Sequence, residues 1–450
     1  MVKLFQKLLK GYTIQEIAWM LYDWANSAHS VCVVTILPIF FNTVAEYTAS
    51  GESTMTTWGY ATSIAMAVVA LAAPVLGVLG DFDGMRKKLF TAALVIGAGS
   101  CFGLALTPGM DFTSSVEAAG TVSMFILVLY ILSTVGFNAA GLYYDAFLTD
   151  VTTEDRMDRV STMGYGMGYI GGSTIPLVIF LGMNLAGVDM LFCLGFIFAL
   201  TGAWWLAFSA PLLKYVKQKG GRKAEAAAVG HALTGLARTA GDIVRNKPLL
   251  VYIIAYFFYI DGVHTIISMS TTYGANLGLG SSDMLLALLM VQVLGLPFCL
   301  LYIKLSDKFG ARFMVGVGIC IYMFICAFGY FMREVWQFWV LALLCATSQG
   351  GIQALSRSMF GKMIPDKERS GEYFGFYDIF GKFSAIMGPA LAGFVSGVVY
   401  DRMAAADPTL TAQQLNVASA PAGILSIILL FCVGAVLYFA VLPRAEKAGK

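Results

Sequence analysis

Twelve long apolar stretches, separated by short polar loops, constrain this chain more than any other feature of its sequence. They lie near residues 14–42, 58–79, 88–107, 121–148, 161–183, 190–213, 249–273, 284–305, 312–332, 335–361, 371–399 and 419–442. A helix needs roughly 20 apolar residues to cross the core of a bilayer. Only 12% of the residues are charged, against about 25% in soluble domains. We therefore predict an all-α integral membrane protein with twelve transmembrane helices.

The basic residues predict how these helices are oriented. If both termini are cytoplasmic, 26 of the 29 Lys and Arg lie on the cytoplasmic side, which is the asymmetry of the positive-inside rule. Lys3, Lys7 and Lys10 alternate with apolar residues, as on a helix that lies in the membrane interface. We expect a multi-pass protein of the bacterial plasma membrane, whose N-terminal segment is not a cleaved signal.

Two short loops between apolar stretches repeat 226 residues apart and share the pattern D-x-x-G-x-R. The copies comprise Asp81, Gly84 and Arg86, and Asp307, Gly310 and Arg312. Further matches, at a constant offset of 213, pair Phe147, Arg156, Gly168 and Pro176 with Phe360, Arg369, Gly381 and Pro389. Parallel repeats of this kind mark a large class of secondary transporter, whose site lies between the halves near the midplane.

The repeats predict two pseudo-symmetric six-helix bundles joined by a linker. The first bundle comprises residues 1–213, including the short interfacial helix at the N-terminus, and the second comprises residues 248–450, including a short tail. Residues 214–247 form the one long polar interval. This interval opens with a basic stretch and continues with apolar residues at helical spacing. It is predicted to be a cytoplasmic linker that carries an amphipathic helix.

The first apolar stretch contains the motif Tyr22-Asp23-Trp24-Ala25-Asn26-Ser27-Ala28. This motif resembles the Y-D-W-A-N-S-A hallmark of the vacuole-effluxer branch of the major facilitator superfamily, the autophagy-related amino-acid exporters. Gly77, Asp81, Gly84, Arg86 and Lys87 resemble the superfamily's G-x-x-x-D-x-x-G-R-K loop, with one extra residue before the arginine. The resemblance covers essentially the whole chain. It implies the major facilitator fold and solute transport, with amino acids as the best-known cargo.

Charged side chains within the apolar stretches point to a transport path. A charge that faces lipid at the bilayer centre costs roughly 2.5–3.5 kcal/mol, so such residues should face a cavity or a partner. The predicted proton-coupling and substrate cavity comprises Asp23, Asn26, Ser27, Asp261, His264, Asn138 and Gln353. We predict that Asp261, with His264 on the same helix face, or Asp23 carries the coupling proton. The alternative for Asp23 is a structural hydrogen bond beside Asn26.

A second group of residues is predicted to act in conformational change. The predicted cytoplasmic gate comprises Asp145, Arg357, Asp81, Arg86, Asp307 and Arg312. Contacts between a loop carboxylate and a helix dipole must break when the halves rock. Asp145 and Arg357 are expected to form a gate between the halves or, alternatively, to hold the charged ends of a zwitterion. Asp378 and Lys382, spaced i and i+4, are predicted to be an intramembrane pair that neutralises itself.

Other patterns exclude several kinds of function. Residues 166–171 spell G-x-G-x-x-G, but they lie in an apolar stretch without a preceding strand, which does not fit a dinucleotide site. The eight cysteines form no C-x-x-C pair, so no metal site or disulfide framework is indicated. No nucleophile–base pair stands out either. We therefore expect no enzyme, no cofactor, no metal and no nucleic-acid partner.

The sequence thus predicts a monomeric secondary active transporter. Its partners are expected to be a small-molecule solute, protons and the lipid bilayer. The solute is expected to be an amino acid or a similar zwitterion, moved by alternating access with proton coupling. The alternatives are a transporter of amphipathic drugs or lipids with the same fold, and a nutrient receptor that binds without transport.

Overall fold

The structure of this chain is a computed structural model. It describes residues 2–45, 47–48, 54–221, 238–276, 281–332, 334–410 and 412–448. The helices of the first half are α1 (Val2–Leu8), α2 (Ile14–Val31), α3 (Leu37–Ala45), α4 (Thr54–Gly80), α5 (Met85–Leu106), α6 (Val116–Val151), α7 (Met157–Met167), α8 (Ile175–Leu185) and α9 (Met190–Tyr215). The π-helical turns Cys32–Ile36 and Gly168–Thr174 join α2 to α3 and α7 to α8. A capping box between Thr13 and Glu16 starts α2.

The second half is also helical. Its helices are α10 (Lys247–Asn276), α11 (Ser281–Phe309), α12 (Ala311–Phe331), α13 (Val335–Met363), α14 (Ser370–Ala406), α15 (Ala412–Ser426), α16 (Ile428–Val436) and α17 (Leu442–Ala448). A π-helical turn, Leu437–Val441, joins α16 to α17. The helices α11, α14 and α15 each contain an internal proline, which removes a backbone hydrogen bond.

The described residues contain ten helical segments that are long and apolar enough to cross a membrane. Helix α4 adds a shorter apolar stretch, Ile64–Gly80. The helical run from α2 to α3 covers the first apolar stretch of the sequence. The all-helical membrane architecture expected from the sequence is therefore present.

The predicted linker, residues 214–247, is described in part. Helix α9 ends at Tyr215, and residues 216–221 have no regular secondary structure. Residues 222–237, which include the start of the predicted amphipathic helix, lie outside the described residues. Residues 238–245 are helical.

Internal packing divides the chain into two units. The first contains the described parts of Met1–Val160, Met167–Leu236 and Pro365–Phe376. The second contains the described parts of Ser161–Gly166, Ala237–Ile364 and Tyr377–Lys450. Two short segments, 161–166 and 365–376, thus pack with a unit other than that of their flanking residues. The domain limits at 213 and 248 stay a prediction.

Glycines allow very close helix contacts within the first unit. A Cβ on Gly136 of α6 would lie 2.5 Å from the backbone nitrogen of Gly97 of α5. A Cβ on Gly171 would lie 1.8 Å from the ring of Trp24. Lipid is as apolar as the helix surfaces, so membrane helices associate through such close packing rather than through a hydrophobic drive. Glycine at these positions is therefore part of what holds the unit together.

Tyrosines of α10 tie the second unit together. Tyr252 donates a hydrogen bond to the carbonyl oxygen of Ser356 at 2.8 Å, and the hydroxyls of Tyr259 and Ser356 lie 2.6 Å apart. Tyr273 donates to the carbonyl oxygen of Gly329 at 2.6 Å. Hydrogen bonds between membrane helices contribute about 0.6 kcal/mol each on average. Helix α10 is thereby fastened to α12 and α13 along much of its length.

Candidate functional site

The first D-x-x-G-x-R loop encloses a buried charge network. Gly84 has a φ of 68°, a left-handed conformation that favours glycine and turns the chain into α5. Arg86 donates to Asp81 Oδ1 at 2.6 Å and to Asp150 Oδ2 at 2.7 Å. All three side chains are at most 3% exposed. One guanidinium therefore lies between two carboxylates, as buried charges require.

Asp81 also binds the beginning of α14. The N–H of Gly371 donates to Asp81 Oδ1 and the N–H of Glu372 donates to Oδ2, both at 2.8 Å. These amides form the positive end of the helix dipole, which favours a carboxylate. A Cβ on Gly77 would lie 2.4 Å from the Gly371 carbonyl oxygen. Glycine at these two positions therefore permits the approach of the loop to α14.

The protonation of Asp81 is set by competing influences. Burial raises the pKa of Asp81 to about 6, while the Arg86 guanidinium and the two backbone donors oppose this rise. An ionised carboxylate only accepts hydrogen bonds, whereas a protonated one has an O–H in place of an acceptor position. A proton on Asp81 would therefore compete with the amides of α14. The contact is thus sensitive to pH near 6.

The charged side chains of the second D-x-x-G-x-R loop are more exposed to solvent than those of the first. Gly310 has a φ of 85° and precedes α12, as Gly84 precedes α5. Arg312 donates to Glu446 of α17 at 2.5 Å, and both side chains are 39% exposed. Asp307 is exposed. Of the residues predicted for the gate, Arg312 therefore lies in a half-exposed pair and Asp307 at the surface.

The start of the linker packs on the first loop. The N–H of Lys219 donates to Asp150 Oδ1 at 2.9 Å. Gln218 Nε2 donates to the carbonyl oxygens of Gly80 and Phe82 at 3.2 and 3.3 Å. Asp150 and Gln218 are not among the residues predicted for the gate. The available signal for Asp150 is an acidic residue at the end of an apolar stretch, close to a predicted cytoplasmic loop.

Two arginines that correspond at the 213 offset pair differently. Arg156 donates to both carboxylate oxygens of Glu16, at 2.8 and 2.7 Å. This hydrogen bonding raises the pKa of Arg156. Arg369 pairs with Glu372, three residues further along the chain, at 2.7 Å. Glu16 and Glu372 are both fully buried and absent from the predicted site. The corresponding arginines thus anchor different helices.

Asp23 is buried and hydrogen-bonded within the first unit. Tyr144 of α6 donates from its hydroxyl to Asp23 Oδ2 at 2.7 Å. Trp19 donates to the carbonyl oxygen of Tyr144 at 2.8 Å and stacks on its ring at 4.3 Å. The exposed fraction of Asp23 is 8%. The contact with Oδ2 is a structural hydrogen bond of the kind that the sequence offers as the alternative for Asp23, and its donor is Tyr144.

The other polar residues predicted for the first half lie nearby on α2 and α6. Asn26 is 9% exposed and Ser27 is partly exposed. Ser27 faces the π-helical turn, since a Cβ on Gly168 would lie 2.6 Å from its Oγ. Asn138 is buried and donates to the carbonyl oxygen of Thr134 at 2.7 Å.

Asp261 is fully buried within the second unit. Its Oδ1 accepts hydrogen bonds from the N–H of Gly388 at 2.9 Å and from the hydroxyl of Thr265 at 3.3 Å. Its Oδ2 is buried and has no hydrogen-bond partner among the described residues. His264, one turn further along α10, lies beside Gln353 and within electrostatic reach of Lys382. The carboxyl group is thus only half satisfied.

Asp378 and Lys382 form the pair that their spacing predicts. Lys382 Nζ lies 3.5 Å from Asp378 Oδ1, and both side chains are partly exposed. Gln353 of α13 is also partly exposed, and its amide donates to the carbonyl oxygen of Gln349 at 3.1 Å. The second unit therefore contains polar groups on α10, α13 and α14.

Arg357 is buried near the end of α13. Its guanidinium donates to the hydroxyl and the carbonyl oxygen of Ser161, at 2.9 and 3.1 Å, and lies 4.6 Å from the centre of the Tyr165 ring. Asp145 of α6 is partly exposed. A pairing of Asp145 with Arg357 stays a prediction.

Comparison with solved structures shows which fold these helices adopt. The chain superposes on FucP, a major facilitator superfamily transporter, with a TM-score of 0.64 at 12% identity over 94% of this chain and 97% of that chain. It superposes on the proton:xylose symporter XylE with a TM-score of 0.65 at 15% identity, over 96% and 94% of the two chains. At such low identity these likenesses show the fold alone. The fold is the all-helical major facilitator fold.

Sequence comparisons show the family. Residues 52–442 match the family model described as vacuole effluxer Atg22 like. The chain is 40% identical to the MFS-type transporter YxiO of Bacillus subtilis (strain 168), over 96% of this chain and 95% of that protein. It is 24% identical to Autophagy-related protein 22-2 of Aspergillus clavatus, over 53% of this chain and 43% of the fungal protein. The chain therefore belongs to the vacuole effluxer Atg22-like family of the major facilitator superfamily, whose members are multi-pass membrane transporters and not enzymes.

Proposed function

We propose that this chain is a proton-coupled secondary transporter that moves an amino acid or a similar small zwitterion by alternating access. It acts as a monomer in the bacterial plasma membrane, with twelve spanning helices and both termini in the cytoplasm. The distribution of Lys and Arg supports this orientation. The cargo is the one that the resemblance to the vacuole-effluxer branch implies.

The state of the Asp261 carboxyl group is the observation that carries proton coupling. Oδ1 is held by Gly388 and Thr265, whereas Oδ2 has no donor among the described residues. A buried carboxylate without a counter-charge is very unfavourable in an apolar medium, and such a group becomes neutral by binding a proton. Asp261 therefore holds a proton while it is enclosed. It releases that proton when its surroundings become hydrated during the transport cycle.

Helix α14 connects this proton to the first loop. Asp261 accepts a hydrogen bond from Gly388, in the middle of α14, and Asp81 accepts two from Gly371 and Glu372, at its beginning. Deprotonation of Asp261 changes how α14 is held at one point, while Asp81 holds it at another. Both sets of contacts are made by backbone N–H groups of this one helix. We propose that Asp261 carries the proton and that Asp81 holds the beginning of α14 in one conformation of the transport cycle.

Uptake by the purified protein in proteoliposomes tests this function. Labelled amino acids are screened with and without an imposed pH gradient, using the wild type, Asp261→Asn and Asp23→Asn. We expect the gradient to accelerate uptake by the wild type, and Asp261→Asn to abolish that acceleration. Asp401→Asn, an exposed change on α14, is the matched control. If both Asp261→Asn and Asp23→Asn respond to the gradient like the wild type, coupling through these residues is wrong.

The same experiment separates the alternative functions. Binding of amino acids without any uptake by the wild type would indicate a receptor. Uptake of an amphipathic dye or a labelled lipid, but of no amino acid, would indicate a drug or lipid transporter.

A further inference from the structure

The contact between Asp378 and Lys382 is incomplete. Lys382 Nζ lies 3.5 Å from Asp378 Oδ1, and the side chains are 25% and 21% exposed. Asp378 Oδ2 is shielded from solvent and has no hydrogen-bond partner among the described residues. By contrast, the buried pair of Arg86 and Asp81 closes to 2.6 Å. Buried polar atoms in native proteins nearly always have a partner, so Oδ2 is able to accept a hydrogen bond that the described residues do not supply.

One polar side chain of the same unit, His264 of α10, lies near this pair, within electrostatic reach of Lys382, and a second, Gln353 of α13, lies beside His264. These two side chains are also partly exposed, whereas Asp261, one turn earlier on α10, is fully buried. Polar and charged groups within a membrane face a protein interior or a water-filled cavity rather than lipid. We call Asp378, Lys382, His264 and Gln353 the polar cluster.

An aromatic wall borders the polar cluster. Tyr256 stacks on Tyr377 with ring centres 4.2 Å apart, and Tyr377 stacks on Phe360 at 4.5 Å. A Cβ on Gly381 would lie 3.3 Å from the Tyr256 hydroxyl oxygen, so this wall reaches the turn of α14 that carries the ion pair. Aromatic surface beside a few polar groups is the usual lining of a small-molecule site.

We propose that the polar cluster binds the two charged groups of the transported zwitterion, its ammonium group on Asp378 and its carboxylate on Lys382. This inference rests on the proposed function and names the residues that select the solute. The two charges of an α-amino acid are attached to one carbon, and Asp378 and Lys382 lie one helical turn apart on the same face. The solute's ammonium group supplies the donor that Asp378 Oδ2 lacks. His264 and Gln353 border the carboxylate beside Lys382.

This arrangement favours a solute that carries both charges. A molecule with a single charge would separate Asp378 from Lys382 and leave one of them without a counter-charge, which is strongly unfavourable away from water. A zwitterion replaces both halves of the ion pair at once. Amines and carboxylic acids are therefore rejected because each leaves one charge of the ion pair without a partner. Uncharged sugars are rejected because they replace neither charge of the pair.

Three forms of one solute test the inference on the purified full-length protein. L-leucine carries both charges, its methyl ester carries only the positive one, and N-acetyl-L-leucine carries only the negative one. Binding is measured as the ligand-induced rise in the unfolding midpoint. For the wild type we expect L-leucine to raise the midpoint and the two derivatives to leave it unchanged. Asp378→Asn and Lys382→Gln should weaken L-leucine binding by on the order of 30-fold or more.

A change of preference distinguishes a binding role from a structural one. In Asp378→Asn the remaining cation should favour N-acetyl-L-leucine, and in Lys382→Gln the remaining carboxylate should favour the methyl ester. Asp401→Asn and Arg402→Gln alter exposed charges near the far end of the same helix. These matched controls should keep the preference of the wild type.

The outcomes separate this inference from the proposed function. Unchanged L-leucine binding by Asp378→Asn and Lys382→Gln would overturn the inference and leave the transport function intact. A wild type that neither binds nor transports L-leucine, L-serine or L-glutamine would overturn both. If a single variant does not fold, the exchange of Asp378→Lys with Lys382→Asp keeps the net charge. That exchanged protein should bind L-leucine, and a folded protein that does not would contradict the inference.

Discussion

The two D-x-x-G-x-R loops share a pattern but have opposite surroundings. In the first loop, Asp81 and Arg86 are buried, and Asp81 binds the beginning of α14. In the second loop, Asp307 is exposed and Arg312 belongs to a half-exposed pair. A repeated motif thus does not imply a repeated role. The first loop holds a helix through buried charges, whereas the charged side chains described in the second loop are exposed or half-exposed.

A single position in the other repeat accounts for much of this difference. Arg86 bridges Asp81 to Asp150. At the 213 offset, Asp150 corresponds to Met363, whose thioether is uncharged and only a weak hydrogen-bond acceptor. The second arginine, Arg312, pairs with Glu446 instead. The helix that packs behind the first loop thus supplies a carboxylate that the corresponding position of the second half lacks.

The largest expected effect separates the two arginines. Arg86→Ala leaves two buried carboxylates without their cation, and we expect the free energy of unfolding to fall by about 3–5 kcal/mol. Arg312→Ala removes a half-exposed pair and should lower it by less than about 1 kcal/mol. Thermal unfolding of both purified variants in detergent micelles measures the difference. Similar decreases in the free energy of unfolding for the two variants would contradict the difference between the buried and the exposed loop.

A second prediction concerns the close approach of the first loop to α14. Gly371→Ala places a Cβ 2.6 Å from the carbonyl oxygen of Gly77, so the backbones must move apart, at a cost of about 1–3 kcal/mol. Gly99→Ala on α5 is the control, since a Cβ there meets nothing within 4 Å. That change should stabilise the helix by about 0.5–1 kcal/mol. A loss at Gly99 as large as that at Gly371 would mean that the approach is unimportant.

The third prediction concerns pH. Burial raises the pKa of Asp81 to about 6 from its ordinary value of 3.8, so the folded protein holds a proton that the unfolded chain has released. The stability from this group is fully present below the ordinary pKa and is lost as the pH rises through about 6. Relative to Asp81→Asn, the wild type should lose on the order of 3 kcal/mol across this window.

Unfolding midpoints of the wild type and Asp81→Asn, measured as a function of pH, check this effect. Asp307→Asn serves as the control for the same change in the exposed loop. A difference between the wild type and Asp81→Asn that stays constant, or that grows in favour of the wild type as the pH rises, would contradict the burial of Asp81.

The smallest expected effects compare the segments that contact the two loops. Gln218→Ala removes two hydrogen bonds to backbone oxygens of the first loop and should lower the free energy of unfolding by about 0.5–1.5 kcal/mol. Glu446→Ala removes the half-exposed partner of Arg312 and should have an effect of about 0.5 kcal/mol or less. Unfolding midpoints measured under identical conditions sharpen the comparison. A larger effect at Glu446 would reverse it.

Much of the fold was accessible from the sequence because hydropathy alone identifies helices that cross a bilayer. The repeated loops and the motif around Asp23 were sufficient to indicate the family. The π-helical turns Cys32–Ile36 and Gly168–Thr174 were not predicted, since their apolar pattern does not differ from that of an α-helix. The comparison of Asp81 with Asp307 was equally inaccessible, because burial depends on helices distant in the chain.

The candidate site was only partly predictable for a similar reason. Shared helix faces correctly grouped Asp378 with Lys382. The same reasoning put His264 one turn from Asp261, but it could not show that Asp261 binds the backbone of Gly388, which is distant in the sequence. Almost every residue type has a backbone N–H, so the sequence does not show which of them a carboxylate binds. Asp150 was missed because a carboxylate at a helix end is usually solvated, and only the packed structure shows that it is buried.

Proton movement driven by the solute tests the role of Asp261 most directly. Proteoliposomes that contain a trapped pH-sensitive dye are given a transported amino acid without an imposed pH gradient. For the wild type we expect the internal pH to change as the amino acid enters. For Asp261→Asn we expect exchange of labelled for unlabelled amino acid without any change of pH. A pH change of equal size in Asp261→Asn would contradict the proposal that this carboxyl group carries the proton.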